Sequence, residues 1–188
     1  MGFLDKFKAK DKDKINHKKA ESNESITAYK RMIELFDVDA DTATKLNSCI
    51  DDPRAYYDEN AEIYEERGVA SDTDDDTIIW LGIVDILIEQ GKLFEFDYSV
   101  ECEDFIYGIN EIIIDDLTFD QDSLDEDADI TEWLEVLHNE WVQSGFVIAG
   151  MDIDSDSYPV FIIFKDVFDK LVIEAEKAGH KIVLAKDM

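Results

Sequence analysis

Residues 145–164 read GFVIAGMDIDSDSYPVFIIF, and this stretch decides the fold that the sequence predicts. Two apolar runs, residues 146–149 and 160–164, flank an acidic turn. Short apolar runs that are rich in Val, Ile and Phe and bounded by Gly, Asp, Ser and Pro are typical of buried strands joined by a hairpin. We therefore predict a β-hairpin here, and we expect it to be the scaffold of the fold rather than its functional site.

Apolar periodicity predicts a helical first half and further elements around the hairpin. Apolar residues at spacings of three and four residues indicate helices near residues 25–36, 41–50, 53–68, 77–90, 102–114, 131–143 and 166–177. Two more apolar runs, at residues 93–98 and 180–185, are typical of strands. The sequence therefore predicts an α+β fold, with a roughly four-stranded, partly antiparallel sheet packed with helices and a helical N-terminal half.

The charge of the chain indicates what kind of partner it can attract. The 188 residues carry a formal net charge of −29, yet 45% of them are hydrophobic and 11% are aromatic. That apolar content argues against a wholly disordered acidic protein. Nucleic acids and anionic membranes are bound through Lys and Arg, so the surplus of carboxylates disfavours direct nucleic-acid binding. The same surplus attracts positively charged proteins, and we therefore expect a basic protein partner.

Positive charge is concentrated at the N-terminus. Residues 1–20 hold seven Lys and three Asp, so that the remainder holds 11 of the 18 basic and 44 of the 47 acidic residues. We predict from this division a basic flexible tail over residues 1–24 and a single acidic α+β domain over residues 25–188.

The sequence also predicts a cytoplasmic protein without a transmembrane segment. Cys49 and Cys102 are too few and too isolated for a disulfide framework or a zinc site. The N-terminus has no apolar leader, and the longest nearly apolar run, residues 78–88, is too short to span a bilayer. Three apolar side chains within residues 1–8 leave weak peripheral membrane contact as an alternative role of the tail.

The spacing Asp-x-Asp-x-Asp occurs repeatedly and resembles the start of a calcium-binding loop. Such triplets begin at Asp37, Asp72, Asp125 and Asp152. An EF-hand loop also needs Gly at its sixth position and Glu at its twelfth, and each of these triplets lacks both residues. We therefore predict no metal-binding residue and no cofactor, and we keep a divalent-metal-dependent hydrolase only as an alternative function.

Sequence signals for catalysis are equally weak. The three histidines, His17, His138 and His180, have no partner at a spacing that suggests a metal pair, so a structural or surface role is favoured for each. Neither cysteine lies beside a His or a basic cluster in the sequence. No phosphate-binding loop, nucleophile elbow or HExxH motif occurs. We predict no catalytic residue and favour a protein that is not an enzyme.

Four short segments of the second half carry a resemblance to known families. They are Trp80-Leu81, residues 93–98, Trp133 and residues 155–162, which read SDSYPVFI. Through these segments, residues 77–185 resemble an uncharacterised bacterial family, a domain of unknown function found in small cytoplasmic proteins. The Asp-Ser-Tyr turn before an apolar strand is also similar to a turn in the immunity proteins of bacterial toxin systems. Neither resemblance implies catalytic residues.

These observations favour a non-enzymatic acidic binding protein, similar to an immunity protein or inhibitor, that captures a basic protein partner. Aromatic residues beside carboxylates suit a binding hot spot with a charged rim. On this pattern we predict that the partner-binding residues are Tyr56, Tyr57, Glu62, Glu65, Glu66, Asp125 and Asp127. Spaced carboxylates in the same segments leave a DNA-mimic antagonist of a nucleic-acid-binding protein as a second alternative.

Overall fold

The computed structural model describes residues 23–114 and 117–188, which form helices packed on a four-stranded sheet. The helices are α1 (residues 23–36), α2 (Ala40–Asp51), α3 (Pro53–Glu59), α4 (Ala61–Glu66), α5 (Asp75–Glu89), α6 (Cys102–Ile112), α7 (Ile130–Trp141) and α8 (Lys165–Ala178). The strands are β1 (Phe94–Asp97), β2 (Phe146–Met151), β3 (Ser157–Phe164) and β4 (Ile182–Leu184). The predicted tail and its membrane contact lie outside the described residues, except that residues 23 and 24 belong to α1.

The predicted hairpin forms the centre of the sheet. The strand order is β1-β3-β2-β4, and each neighbouring pair is antiparallel. Within the hairpin Phe146 lies opposite Phe164, and Gly150 lies opposite Val160. Strand β1 pairs with the outer edge of β3, and β4 pairs with the outer edge of β2. The predicted α+β fold with four strands is therefore confirmed, and the pairing between these strands is antiparallel in every case.

Helices cover both faces of this sheet, and the side chains of β2 alternate between the two cores that result. Val147, Ala149 and Met151 point to the first face, where they share a core with residues of α1, α2, α5 and α8. Phe146 and Ile148 point to the second face and pack with residues of α6 and α7. A strand covered on both faces needs a continuous apolar run, which explains why the sequence of β2 does not alternate with polar residues.

Helix α5 is central to the core on the first face. Nine of its 15 residues are buried, on more than one side of the helix, which indicates a helix that is covered by several neighbours. Its N-terminus is capped by Asp74, whose side chain accepts a hydrogen bond from the backbone N–H of Thr77 at 2.9 Å. Within the described ranges, α5 included, no helix combines the length and apolar character needed to cross a membrane.

The prediction of one continuous helix over residues 53–68 is wrong, because the chain divides at Asn60 into α3 and α4. The Asn60 backbone leaves the helical region, with φ −121° and ψ 26°. Its side-chain Nδ2 donates to the carbonyl oxygen of Tyr56 at 2.8 Å, and its backbone N–H donates to the carbonyls of Tyr56 and Tyr57. Asn competes in this way with the regular helical hydrogen bonds, so α3 ends there and α4 starts at Ala61.

Candidate functional site

The tyrosines predicted to bind a partner pack mainly inside the protein. Tyr57 is 6% exposed, and its ring stacks on that of Tyr64 with centroids 5.1 Å apart. The hydroxyl of Tyr57 donates to the carbonyl oxygen of Val69 at 3.2 Å, and that of Tyr64 donates to the carbonyl oxygen of Ile78 at 2.8 Å. These contacts hold α3 and α4 against α5, so Tyr57 is placed to stabilise the fold, whereas Tyr56 is only partly buried.

Tyr56 lines an open groove of about 520 Å³ between α2 and α3, which we call the α2–α3 groove. Asp51, Asp52 and Glu59 line the same groove, together with the small polar residues Thr44, Asn47 and Ser48. The next helix, α4, carries exposed carboxylates at Glu62, Glu65 and Glu66. Tyr56 thus shares the groove with three carboxylates, and its role in partner binding stays a prediction.

Asp125 and Asp127 lie on the other side of the sheet. The carbonyl oxygen of Asp125 accepts a hydrogen bond of 2.7 Å from the indole N–H of Trp133, which belongs to the core on the second face. The Asp125 carboxylate accepts a bond of 3.1 Å from the backbone N–H of Asp127 and fixes the local turn. Since α4 packs on α5 through Tyr64, in a cluster distinct from this core, the predicted partner-binding residues fall into two separate groups.

The Asp-x-Asp-x-Asp triplets have a clear structural role. Asp39, Asp74 and Asp129 each begin a helix, and their carboxylates accept backbone N–H groups of the first turn. A hydrogen bond from a threonine lowers the pKa of each of these three carboxyls. The donors are Thr42, Thr77 and Thr131, in that order. In the fourth triplet, Asp152 accepts a bond of 3.0 Å from the N–H of Asp154. Among residues 23–114 and 117–188, no three His, Cys, Asp or Glu side chains are grouped so that they could hold a metal ion.

His180 connects three distant segments, which its position in the sequence does not reveal. Its ring stacks on the indole of Trp80 in α5, with centroids 4.3 Å apart and an interplanar angle of 1°. Its Nε2 lies 2.9 Å from the hydroxyl of Tyr29 in α1. The indole N–H of Trp80 donates in turn to the carbonyl oxygen of Asp152 in the hairpin turn at 2.7 Å. The cluster thus joins α1 and α5 to two places in the sheet. One is the hairpin turn, through Asp152, and the other is the start of β4, which His180 precedes by two residues.

We expect His180 to make the stability of the protein sensitive to acid. Burial lowers the pKa of its imidazole, against the opposing effect of Asp76, Asp74 and Asp154. A folded-state pKa below the unfolded value of about 6.5 means that the unfolded chain binds the proton first. The contribution of His180 to stability is therefore complete above about pH 6.5 and is lost as the pH falls through the lowered pKa.

Urea unfolding of the wild type and of the His180→Asn variant between about pH 7.5 and 5 would measure this effect. The difference in unfolding free energy between the two proteins should shrink towards low pH, because only the wild type has to protonate a partly buried imidazole. Using the difference removes the contribution of the many carboxylates that the two proteins share. A constant difference over this range would contradict the expectation.

The described part of the chain keeps a large excess of carboxylates after its own cations are counted. Of the 11 Lys and Arg beyond residue 20, ten form ion pairs with carboxylates of the same chain. Several of these cations are half-exposed or more and hold one carboxylate each, such as Lys45 with Glu89 and Lys170 with Asp166. The described residues hold 41 acidic side chains, since Glu21, Asp115 and Asp116 lie outside them, so most of the described carboxylates have no neighbouring cation.

Comparison with known proteins identifies a family but no function. Residues 28–185 match the model of a family described as Domain of unknown function (DUF6630). No curated protein and no solved structure matches the chain. The family match confirms the resemblance to an uncharacterised domain that residues 77–185 indicated, and it extends that resemblance to the helical first half. The bacterial origin and the similarity to immunity proteins stay predictions.

Proposed function

We propose that the chain, which belongs to the family described as Domain of unknown function (DUF6630), is a non-enzymatic acidic protein that captures a basic protein partner. The observation that supports this proposal is the excess of carboxylates over cations. The chain has 47 acidic residues and 18 Lys and Arg, so its own cations neutralise fewer than half of its carboxylates. An immunity protein or an inhibitor of a basic enzyme acts in this way, by covering a positively charged surface.

The excess charge would act first on the rate of association. Complementary charges steer two proteins together, and steered association reaches about 10⁸–10⁹ M⁻¹s⁻¹ at low salt, against about 10⁵–10⁶ M⁻¹s⁻¹ for neutral surfaces. The exposed ion pairs within the chain do not oppose this, since each contributes only about 0–1 kcal/mol. A partner can therefore replace the chain's own lysines at little cost.

The α2–α3 groove and the exposed face of α4 are the surface that we propose for the partner. Tyr56 supplies an aromatic contact inside the groove, and Glu62, Glu65 and Glu66 supply a charged rim on the adjacent helix. An aromatic side chain with a charged rim resembles the anatomy of binding hot spots. Asp125 and Asp127 contribute through the overall charge, because they lie across the sheet from this surface.

The other two functions considered from the sequence gain less support. In each Asp triplet one carboxylate accepts backbone N–H groups of a helix start or a turn. Among the described residues no three metal-ligating side chains are grouped, so a divalent-metal-dependent hydrolase gains less support. A DNA mimic shares its surface chemistry with the proposed function. Duplex DNA added to the binding assay described below separates the two functions. The DNA should displace the protein from its partner if the protein is a DNA mimic, and otherwise it should leave the complex intact.

The proposal is tested by recovering the partner and then changing charges on each side of the sheet. The immobilised full chain should retain a basic protein from a cell extract at about 50 mM salt and release it at about 500 mM. With that protein purified, the double variant Glu62→Gln/Glu66→Gln should weaken binding about three- to tenfold, because it removes two rim charges from α4. Isothermal titration calorimetry at low salt measures the change.

The double variant Asp125→Asn/Asp127→Asn is the matched control. It removes the same number of charges from the second side of the sheet, and asparagine keeps the side-chain oxygen that fixes the local turn. We expect it to change the dissociation constant less than twofold. Recovery of no basic protein, or of one whose binding is insensitive to salt, would exclude the proposed function.

A further inference from the structure

A second cleft lies at the end of the sheet that the helices of the second face leave uncovered. Val160 and Ile162 of β3 are buried in the core beneath α6 and α7. Tyr158, two residues earlier on the same face, is only half-buried. Tyr98, which follows β1 at this end, is 62% exposed, a large fraction for an aromatic side chain. The side chains of this end of the sheet therefore face an open space.

That space is a cleft of about 570 Å³, which we call the hairpin cleft. Its lining comes from the residue after β1, the hairpin turn, the start of β3, β4 and the C-terminal segment, and includes Tyr98, Asp152, Asp156, Tyr158, Lys181 and Asp187. One wall depends on Gly150, since a Cβ atom at that position would lie 2.0 Å from the sulfur of Met188. The absence of a side chain at Gly150 thus lets Met188 pack directly on the sheet.

Lysines of the chain itself pair with two carboxylates that line this cleft. The Nζ atom of Lys181 lies 3.3 Å from Oδ2 of Asp152, and the Nζ atom of Lys186 lies 2.9 Å from Oδ1 of Asp187. The Lys181 side chain is 72% exposed, so its pair with Asp152 is a weak surface contact. Asp156 has an exposed carboxylate on the same wall. The lining thus holds three carboxylates, Asp152, Asp156 and Asp187, and one lysine, Lys181, which is held loosely.

We infer that the hairpin cleft binds an arginine side chain in an extended segment of a basic protein, an inference that rests on the proposed function and names a second contact for it. A guanidinium group can stack on an aromatic ring and at the same time donate two parallel hydrogen bonds to a carboxylate. Tyr98 and Tyr158 supply rings and Asp156 supplies an exposed carboxylate within one cleft. Asp152 adds negative charge, although its two oxygens already contact the N–H of Asp154 and the Nζ atom of Lys181. A lysine ammonium can use the carboxylates but stacks less well, so arginine is the better fit.

The probe for this inference is the blocked tripeptide acetyl-Gly-Arg-Gly-amide, with acetyl-Gly-Lys-Gly-amide as its counterpart. Each is titrated into the ¹⁵N-labelled full chain, and amide chemical shifts are followed by NMR. The arginine peptide should give saturable shifts concentrated at residues 98, 152–158 and 181–188, and it should bind more tightly than the lysine peptide. The double variant Tyr98→Leu/Asp156→Asn should weaken its binding about tenfold, since it removes a ring and a charge from exposed positions.

A control variant makes the same two changes on another exposed surface. Tyr107 is 60% exposed on α6, and Asp104 is exposed on the same helix, so Tyr107→Leu/Asp104→Asn removes one ring and one charge away from the cleft. It should leave the affinity within twofold of the wild type. Shifts spread over the whole surface without saturation, or equal weakening by both variants, would overturn the inference while leaving capture of a basic partner intact. Failure of the partner assay with a normal peptide titration would instead reject the proposed function alone.

Discussion

Replacing Arg67 with alanine is expected to lower the free energy of unfolding by about 2–4 kcal/mol, because two partly buried carboxylates would lose their cation. Arg67 follows α4, and its guanidinium donates to Oδ1 of Asp85 in α5 at 2.9 and 2.6 Å. It also donates to both carboxylate oxygens of Glu95 in β1, at 3.2 and 2.6 Å. The three side chains are only 18–20% exposed, so water replaces the lost bonds poorly.

The effect of this substitution should depend on pH in a defined direction. Burial raises the pKa of Asp85, although the bonds from Arg67 oppose the shift. Without Arg67, ionised Asp85 and Glu95 repel each other in the folded state. The destabilisation is then fully present above the folded-state pKa of Asp85 in the variant, and it decreases as the pH falls and Asp85 takes up a proton. Urea unfolding at about pH 7 and about pH 4 measures the difference.

Lys45→Ala provides the comparison for Arg67. Lys45 pairs with Glu89 at 2.7 Å, but these side chains are 47% and 59% exposed. Its loss should cost less than about 1 kcal/mol and should vary little with pH. Arg67→Lys should fall between the wild type and the alanine variant, because lysine restores the charge but not the planar set of donors. Similar effects for Arg67→Ala and Lys45→Ala would contradict a structural role for the buried carboxylates.

Replacing Trp80 with alanine should lower the unfolding free energy by about 3–5 kcal/mol, the range for large aromatic side chains removed from a core. The Trp80 side chain is 2% exposed, stacks on His180 and bonds to the hairpin turn at Asp152. Its loss would remove packing from α5 and the contact that connects this helix to the hairpin. Thermal and urea unfolding of the full chain, followed by circular dichroism, measure the change.

Trp80→Phe separates the packing of the ring from its hydrogen bond. Phenylalanine keeps most of the apolar contact but cannot donate to the Asp152 carbonyl, so we expect a cost of about 1–2 kcal/mol. Equal losses for the two Trp80 variants would mean that the hydrogen bond dominates. A loss below 1 kcal/mol for Trp80→Ala would contradict the central position of α5.

Local patterns were sufficient to predict most elements of the fold and its central hairpin. The continuous apolar run at residues 146–149, with the turn and the second run at residues 160–164, identified the two inner strands correctly. The division at Asn60 could not be predicted, because Asn is only mildly unfavourable within a helix. Its outcome depends on the side-chain bond to Tyr56 and on how α3 and α4 pack.

Long-range contacts explain why less of the candidate site could be predicted. Arg67 meets residues 18 and 28 positions further along the chain, and His180 meets Tyr29 across 151 positions. No local pattern encodes such pairs. Tyr56 and Tyr57 are neighbours in the sequence, yet only one of them lines a groove, since successive helical positions point in different directions. The sequence alone predicts the acidic surface of α4, because an exposed carboxylate can be identified without knowing which residue it contacts.

The salt dependence of the association rate constant with the purified basic partner tests the central claim most directly. Stopped-flow measurements between about 25 and 500 mM salt span Debye lengths from about 20 to 4 Å. Capture through the carboxylate excess predicts a rate constant that falls at least tenfold over this range, while the dissociation rate changes much less. A rate constant that is independent of salt, or that rises with it, would contradict the proposal that this acidic surface captures a basic protein.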